Sequence, residues 1–132
     1  MRAPADGHTL LTMAPSSAIN ATLFSTLYDK LNFNVVRDLA PVATFTLQAQ
    51  VMVVNPSVPA KTVPEFIAYA KANPGKLNFT VAGTQNISHL APVLLFARAG
   101  IDLVMVPAKS GPQAVSDLMS GQVDLYSGNS SE

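Results

Sequence analysis

The sequence has no cysteine, and only 12% of its 132 residues are charged, eight basic against eight acidic. The missing cysteine excludes a disulfide framework, a thiolate metal site and a Cys nucleophile, and leaves the compartment open. The cancelling charges, with a pI near 6.7, leave no basic face for nucleic acid. No stretch approaches the ~18 apolar residues of a membrane span. The opening Met1-Arg2-Ala3-Pro4-Ala5-Asp6-Gly7 lacks the apolar core of a signal peptide, so the chain as written carries no export address. There is no phosphate-loop or dinucleotide glycine pattern, no G-x-S-x-G elbow and no His/Asp/Glu cluster with metal-ligand spacing. No cofactor is therefore expected. A Ser–His–Asp triad can be drawn only on paper, from Ser88 or Ser16, His89 and Asp124.

What is present is apolar: 48% of the residues are hydrophobic, enough to build a core at the size of one ordinary domain. The five methionines read as core filler. The stretch around which the rest is organised is Phe79-Thr80-Val81-Ala82-Gly83-Thr84-Gln85-Asn86-Ile87-Ser88-His89-Leu90. It reads as a buried strand (77–82), a polar loop and a helix start. Such a loop aims backbone N–H groups at one spot, and a helix N-terminus adds about half a positive charge there. A carboxylate fits that place. The reading is a protein that holds small anionic solutes and performs no chemistry on them. The plainer alternative is an ordinary strand-to-helix connection, with His89 structural.

The rest of the chain reads as scaffold. Residues 9–13 suggest a strand after an Asp-Gly turn, and Ile19, Leu23, Phe24 and Leu27 suggest a helix over about 19–28, with Pro15 outside it and Ser17 as a cap. Residues 42–55 are extended, as one long strand or two meeting near 48–50. Thr62 and Glu65 have capping-box spacing at the start of a helix that Asn73-Pro74-Gly75 ends. Its inward stripe is Val63, Phe66, Ile67 and Ala70. The helix after the central loop holds Leu90, Val93, Leu94, Phe96 and Ala97 and should be well buried; with Ser88 as cap, Pro92 delays its start, and Gly100 closes it. A strand at 103–106, the loop Lys109-Ser110-Gly111-Pro112, a helix burying Val115, Leu118 and Met119, a strand at 123–126 and a polar end complete the chain. The fold class is α/β, a parallel or mixed sheet flanked by helices. Ligands on such sheets lie beyond the carboxyl ends of the strands, so loops 83–89 and 108–111 and segment 127–129 should share one edge.

Several runs carry a family resemblance. They are Asp6-Gly7-His8-Thr9-Leu10-Leu11, Asp38-Leu39-Ala40-Pro41-Val42, Val53-Val54-Asn55-Pro56-Ser57-Val58-Pro59-Ala60-Lys61-Thr62, Ala70-Lys71-Ala72-Asn73-Pro74-Gly75-Lys76-Leu77-Asn78-Phe79, Ser88-His89-Leu90-Ala91, and Val106-Pro107 through Leu118 to Gly121-Gln122-Val123-Asp124. In these the chain resembles the solute receptors of tripartite tricarboxylate transporters, the TctC or Bug family of extracytoplasmic binding proteins. The resemblance implies a type II periplasmic-binding-protein fold, two α/β lobes closing on a carboxylate that is handed to membrane permease subunits, in the periplasm. By position it implies ligand contacts from Ser16 and Ser17 in a first-lobe loop, from Gly83, Thr84, Gln85, Asn86, Ser88 and His89 in a second-lobe loop, and from Lys109, Ser110 and Gly111 in the next. Asp124 and Asn129 fall where the chain returns towards the hinge. Ala108 and Pro92 depart from the family pattern. The family also has an export signal, a strand and a Pro- and Gly-rich loop ahead of the Asp-Gly turn, and it continues past Asn129. Against that pattern the chain reads as an incomplete two-lobe fold, with 1–45 a remnant of the first lobe, 46–129 the second lobe and 130–132 a tail. Apolar strands without partners invite pairing with another copy, so a homo-oligomer, with a segment exchanged between copies, is expected. The rival readings are a self-associating structural fragment without a specific ligand, and a small Ser/His89 hydrolase.

Overall fold

The computed structural model describes residues 3–30 and 32–130, apart from the side chains of Leu27 and Tyr28. Leu27 of the expected helical stripe, and Ser131 and Glu132 of the expected tail, therefore lie outside the described residues. The chain divides into two compact units, residues 1–45 and residues 46–132.

In the first unit two short helices form, α1 (Pro15–Leu23) and α2 (Ser25–Lys30). Pro15 occupies the first turn, where its missing N–H costs nothing, and Ala14 rather than Ser17 is the N-cap, with no side-chain bond. Residues 9–13 form no strand, because a strand needs a neighbour for its ladder and among the described residues this unit has no sheet. Leu10 and Leu11 are exposed. The Asp-Gly turn is present: Asp6 Oδ1 accepts from the His8 N–H at 3.0 Å. The irregular 34–38 connector is held by Asn34, whose Oδ1 accepts from the N–H groups of Val36 and Arg37, both at 2.9 Å. Asp38 accepts from Arg37 and from the Asn34 N–H, and these bonds hold its carboxyl at about 2.

The second unit carries the sheet. Its elements are β1 (Gln50–Val54), α3 (Val63–Ala72), β2 (Asn78–Ala82), α4 (Ile87–Ala99), β3 (Val104–Ala108), α5 (Gly111–Met119) and β4 (Leu125–Asn129). The strand order is β1-β4-β2-β3. β4, β2 and β3 are parallel, and β1 lies antiparallel on β4, so the sheet is mixed, with one antiparallel edge.

The alternation of β2 assigns its two faces. Phe79 and Val81 look to one side, with Leu125, under Phe66 and Ala70 of α3 and Phe96 of α4. Phe79 and Phe96 meet edge to face at 5.1 Å. The other face holds Tyr126 and Val123 under Ala114 and Leu118 of α5. Asn55, nearly buried, ties this second unit together: its Nδ2 donates to Leu118 O at 2.6 Å, its Oδ1 accepts from Ser57 N–H, and its own N–H reaches Asp124 O.

The helix stripes are narrower than hydrophobicity suggests. α4 buries Ser88, Pro92 and Phe96, four residues apart, while Val93 and Leu94 face solvent. In α3 Val63 is exposed, and in α5 Met119 is 79% exposed and Ala114 takes its place inward. One layer of sheet leaves each helix only one flank to bury.

Candidate functional site

Three parallel strands ending together put their following loops on one edge of the second unit. After β2, Gly83 turns with φ +84°, and Gln85 also adopts a left-handed conformation, at +66°, which is uncommon for a residue with a side chain. That turn brings the Gln85 N–H to His89 Nδ1 at 3.4 Å. An accepting Nδ1 leaves the proton of the neutral ring on Nε2.

The N-cap of α4 is Asn86, not Ser88. Asn86 Oδ1 accepts from His89 N–H at 3.0 Å, and its Nδ2 donates back to Ala82 O at 3.0 Å. Both ends of this amide are committed to shaping the loop. The helix therefore starts at Ile87, earlier than Pro92 suggests; Pro92 sits within it and costs one bond, to the Ser88 carbonyl. With His89 and Leu90 N–H bonded back to Asn86, the N–H groups of Ile87 and Ser88 are the ones without an intrahelical acceptor. Two such donors at the positive end of a 13-residue helix make a place for an anion. Ser88 is buried, and Thr84 and Gln85 are exposed.

The second loop repeats the plan on a smaller scale. Ser110 caps α5, accepting from Gln113 N–H at 3.4 Å, with Gly111 first in the helix and Pro112 second. Lys109, exposed, stands beside it. At the same edge β4 ends in Asn129, which accepts from Gln50 Nε2. The strand runs further than its polar sequence suggests: Ser127 and Gly128 are buried inside the sheet.

Asp124 stands at the opposite end of the strands, where its Oδ2 accepts from Asn78 N–H and its own N–H donates to Asn78 Oδ1, each at 2.8 Å. That reciprocal pair locks β2 to β4 in register. A β-strand rises about 3.3 Å per residue, so Asp124 is a strand's length from His89, and no triad assembles. Ser16 and Ser17 belong to the first turn of α1, in the first unit.

Two concave spaces open on the second unit. One of about 520 Å³ is lined by residues between Val54 and Lys61 and by Glu65, and one of about 730 Å³ begins at Gly111 of the second loop and runs along α5 past Pro112, Val115 and Met119. Among the described residues no His/Cys/Asp/Glu cluster could hold a metal ion, and no helix is long and apolar enough to cross a membrane.

The model of the tripartite tricarboxylate transporter family receptor matches residues 1–130. The chain belongs to that family. A receptor-family relative from Pseudomonas sp. (strain P51), the UPF0065 protein in the tcbD-tcbE intergenic region, is 35% identical over 124 residues, 94% of this chain and 36% of the relative. A solved periplasmic transporter aligns with a TM-score of 0.72 at 34% identity, over 97% of this chain and 42% of its own. Rpa4515 of R. palustris, solved with adipate, aligns with a TM-score of 0.59 at 29% identity, over 61% of this chain and 27% of its own. The chain spans about a third of the length of the curated relatives it matches.

Proposed function

We propose that residues 46–129 form the second lobe of a periplasmic solute-binding receptor, and that its loop edge takes one carboxylate of a small organic acid for delivery to tripartite transporter permease subunits. The observation that supports this most is the start of α4. The Asn86 amide is fully used in holding the loop, and the Ile87 and Ser88 N–H groups have no intrahelical acceptor. The cap of α5 and Lys109 supply further positive character at the same edge. Asp124 is a register lock in this reading and has no ligand role. A carboxylate held by amides is stabilised as it is; capture, not turnover, is the chemistry on offer. The adipate found with Rpa4515 agrees with a dicarboxylate as guest.

The experiment is an amide-resolved NMR titration of the chain with succinate. Shifts should concentrate at residues 83–88 and 109–111 and shrink as salt is raised, because the attraction is electrostatic. A single rim makes fewer contacts than two closing lobes, so binding should be weak. Flat resonances at millimolar succinate would end the proposal.

Self-association is the second reading, and one stretch favours it. Residues 39–60 contain no charged side chain, and Val42, Phe45 and Leu47 are 80%, 80% and 98% exposed. An extended, uncharged, apolar run is a template for pairing with a second copy. Sedimentation should show concentration-dependent dimers or larger species for the native chain, and Leu47→Lys should shift them towards monomer. A native chain that sediments as a monomer at all concentrations would remove this reading.

A further inference from the structure

We infer that the free edge of β1 pairs with β1 of a second copy, antiparallel and with the two-fold axis at Met52, so that two four-stranded sheets join edge to edge. This rests on the self-association reading above and names its surface. The sheet has two edges, β1 and β3, and they are not equally guarded. Exposed edges are commonly blunted by proline or by charge. β3 contains Pro107, which offers no N–H, and the charged Asp102 and Lys109 flank it. β1 reads Gln-Val-Met-Val-Val. It holds no proline and no charge, and the nearest charged side chains along the chain are Asp38 and Lys61.

The ladder with β4 decides which groups that edge presents. Asn55 N–H donates to Asp124 O, and Ser130 N–H donates to Ala49 O. In the register that pairs Val51 with Gly128 and Val53 with Tyr126, these bonds make 49, 51, 53 and 55 the positions that exchange hydrogen bonds with β4. Bonded positions alternate along an antiparallel strand, so the N–H and C=O groups of Gln50, Met52 and Val54 point the other way. Among the described residues no strand lies on that side. A row of such groups is a template for another strand.

The row is complementary to itself. With Met52 opposite Met52 of the second copy, Gln50 of each chain meets Val54 of the other, and every outward N–H of β1 finds a C=O across the axis. Any other register leaves Gln50 or Val54 without a β1 residue opposite. The same register sets Val53, 44% exposed, against Val51 of the second copy on the α5 face. It sets the two Met52 side chains together on the face of α3 and α4. Apolar residues directly opposite each other stabilise an antiparallel ladder, and no like charges meet in this one. A contact of one five-residue strand from each copy is small beside the ~1,200 Å² or more of a stable interface, so the pair forms reversibly, by mass action.

The test is amide hydrogen exchange on the whole native chain at low and at high concentration, with sedimentation as the measure of pairing. The Val51 and Val53 amides, bonded to β4, should be protected at both concentrations. The Gln50, Met52 and Val54 amides should slow by about fivefold where about four-fifths of the chains are paired, since only the unpaired remainder then exchanges. A second measurement fixes the register. The chain has no cysteine, so the thiol of a Met52→Cys variant can join only its own counterpart. The Cα atoms of a bonded antiparallel pair lie about 5.5 Å apart, within disulfide reach. Mild oxidation should give disulfide dimers at least about tenfold faster than in Val104→Cys, on the other edge, because pairing raises the local thiol concentration. Simple collision would not favour Met52, since Val104 is 52% exposed. Association without slowed exchange at Gln50, Met52 and Val54 would overturn the inference and leave self-association standing, and so would equal cross-linking rates in the two variants. A native chain that stays monomeric at every concentration removes the self-association reading and the inference together. Exchange in the native chain decides the matter even if Met52→Cys fails to fold.

Discussion

Phe79→Ala should lower the unfolding free energy by about 3–5 kcal/mol, the usual cost of emptying a buried aromatic site. Phe79 is 2% exposed, lies in the central strand and meets Phe96 edge to face at 5.1 Å. Its removal opens a hole between β2 and α4 that backbone cannot fill from either side, since β2 is pinned between β4 and β3. A domain of this size holds only about 5–15 kcal/mol in total, so the variant stands close to unfolding. Urea denaturation followed by far-ultraviolet circular dichroism measures it: the midpoint should fall sharply with little change in slope. Phe79→Leu, which keeps most of the volume, should cost clearly less. The functional consequence follows from the same contact. Phe96 is one of three buried residues that seat α4, with Ser88 and Pro92, and the direction of the helix's first N–H groups depends on that seating. Anion-dependent shifts at Ile87 and Ser88 should weaken in Phe79→Ala even where the chain remains folded. A loss below about 1 kcal/mol would show that α4 is held by something other than this aromatic pair.

How far the sequence reveals this arrangement depends on whether local chemistry or a distant partner decides each element. Thr62 and Glu65 are a local device, and the helix they announce begins where expected; Thr62 Oγ1 accepts from Glu65 N–H. Glu65 itself reaches one residue further back than a capping box requires, to Lys61 N–H at 2.8 Å. Gly100 is equally local: with φ +64° it ends α4, and Ile101 N–H bonds back to Phe96 O. The alternation of strands and helices after residue 42 made the α/β class and the common loop edge readable. Elements that depend on neighbours were not. Ser127, Gly128 and Asn129 look like a loop by composition, but β1 and β2 flank them and make them strand. Residues 9–13 look like a strand by composition, and among the described residues no sheet in their unit receives them. At the site itself, Asn86 and Ser88 are both good caps by type. Only the fold shows that Asn86 can serve Ala82 and His89 at once, which Ser88 cannot. The bond from Gln50 to Asn129 was invisible for a related reason: it depends on a register between residues 79 apart.

The double duty of Asn86 sets up a comparison in which stability and binding part company. Asn86→Ala removes the acceptor for His89 N–H and the donor to Ala82 O together. The lost cap alone costs about 0.5–2 kcal/mol, and the freed loop should no longer present the Ile87 and Ser88 amides in one direction. Thermal unfolding should move down and succinate shifts should vanish together, an outcome that by itself mixes two causes. Asn86→Asp separates them. Aspartate is as good an N-cap as asparagine and its charge suits the positive end of the helix. It keeps the bond to His89 N–H while losing the one to Ala82 O, so stability should stay within about 1 kcal/mol of the native chain. It also places a fixed negative charge at the proposed carboxylate position. Two like charges at that distance repel, and the helix end can neutralise only one of them. Succinate binding should fall by tenfold or more, about 1.4 kcal/mol, in a chain that remains folded. If Asn86→Asp binds succinate as well as the native chain does, the anion does not sit at the start of α4.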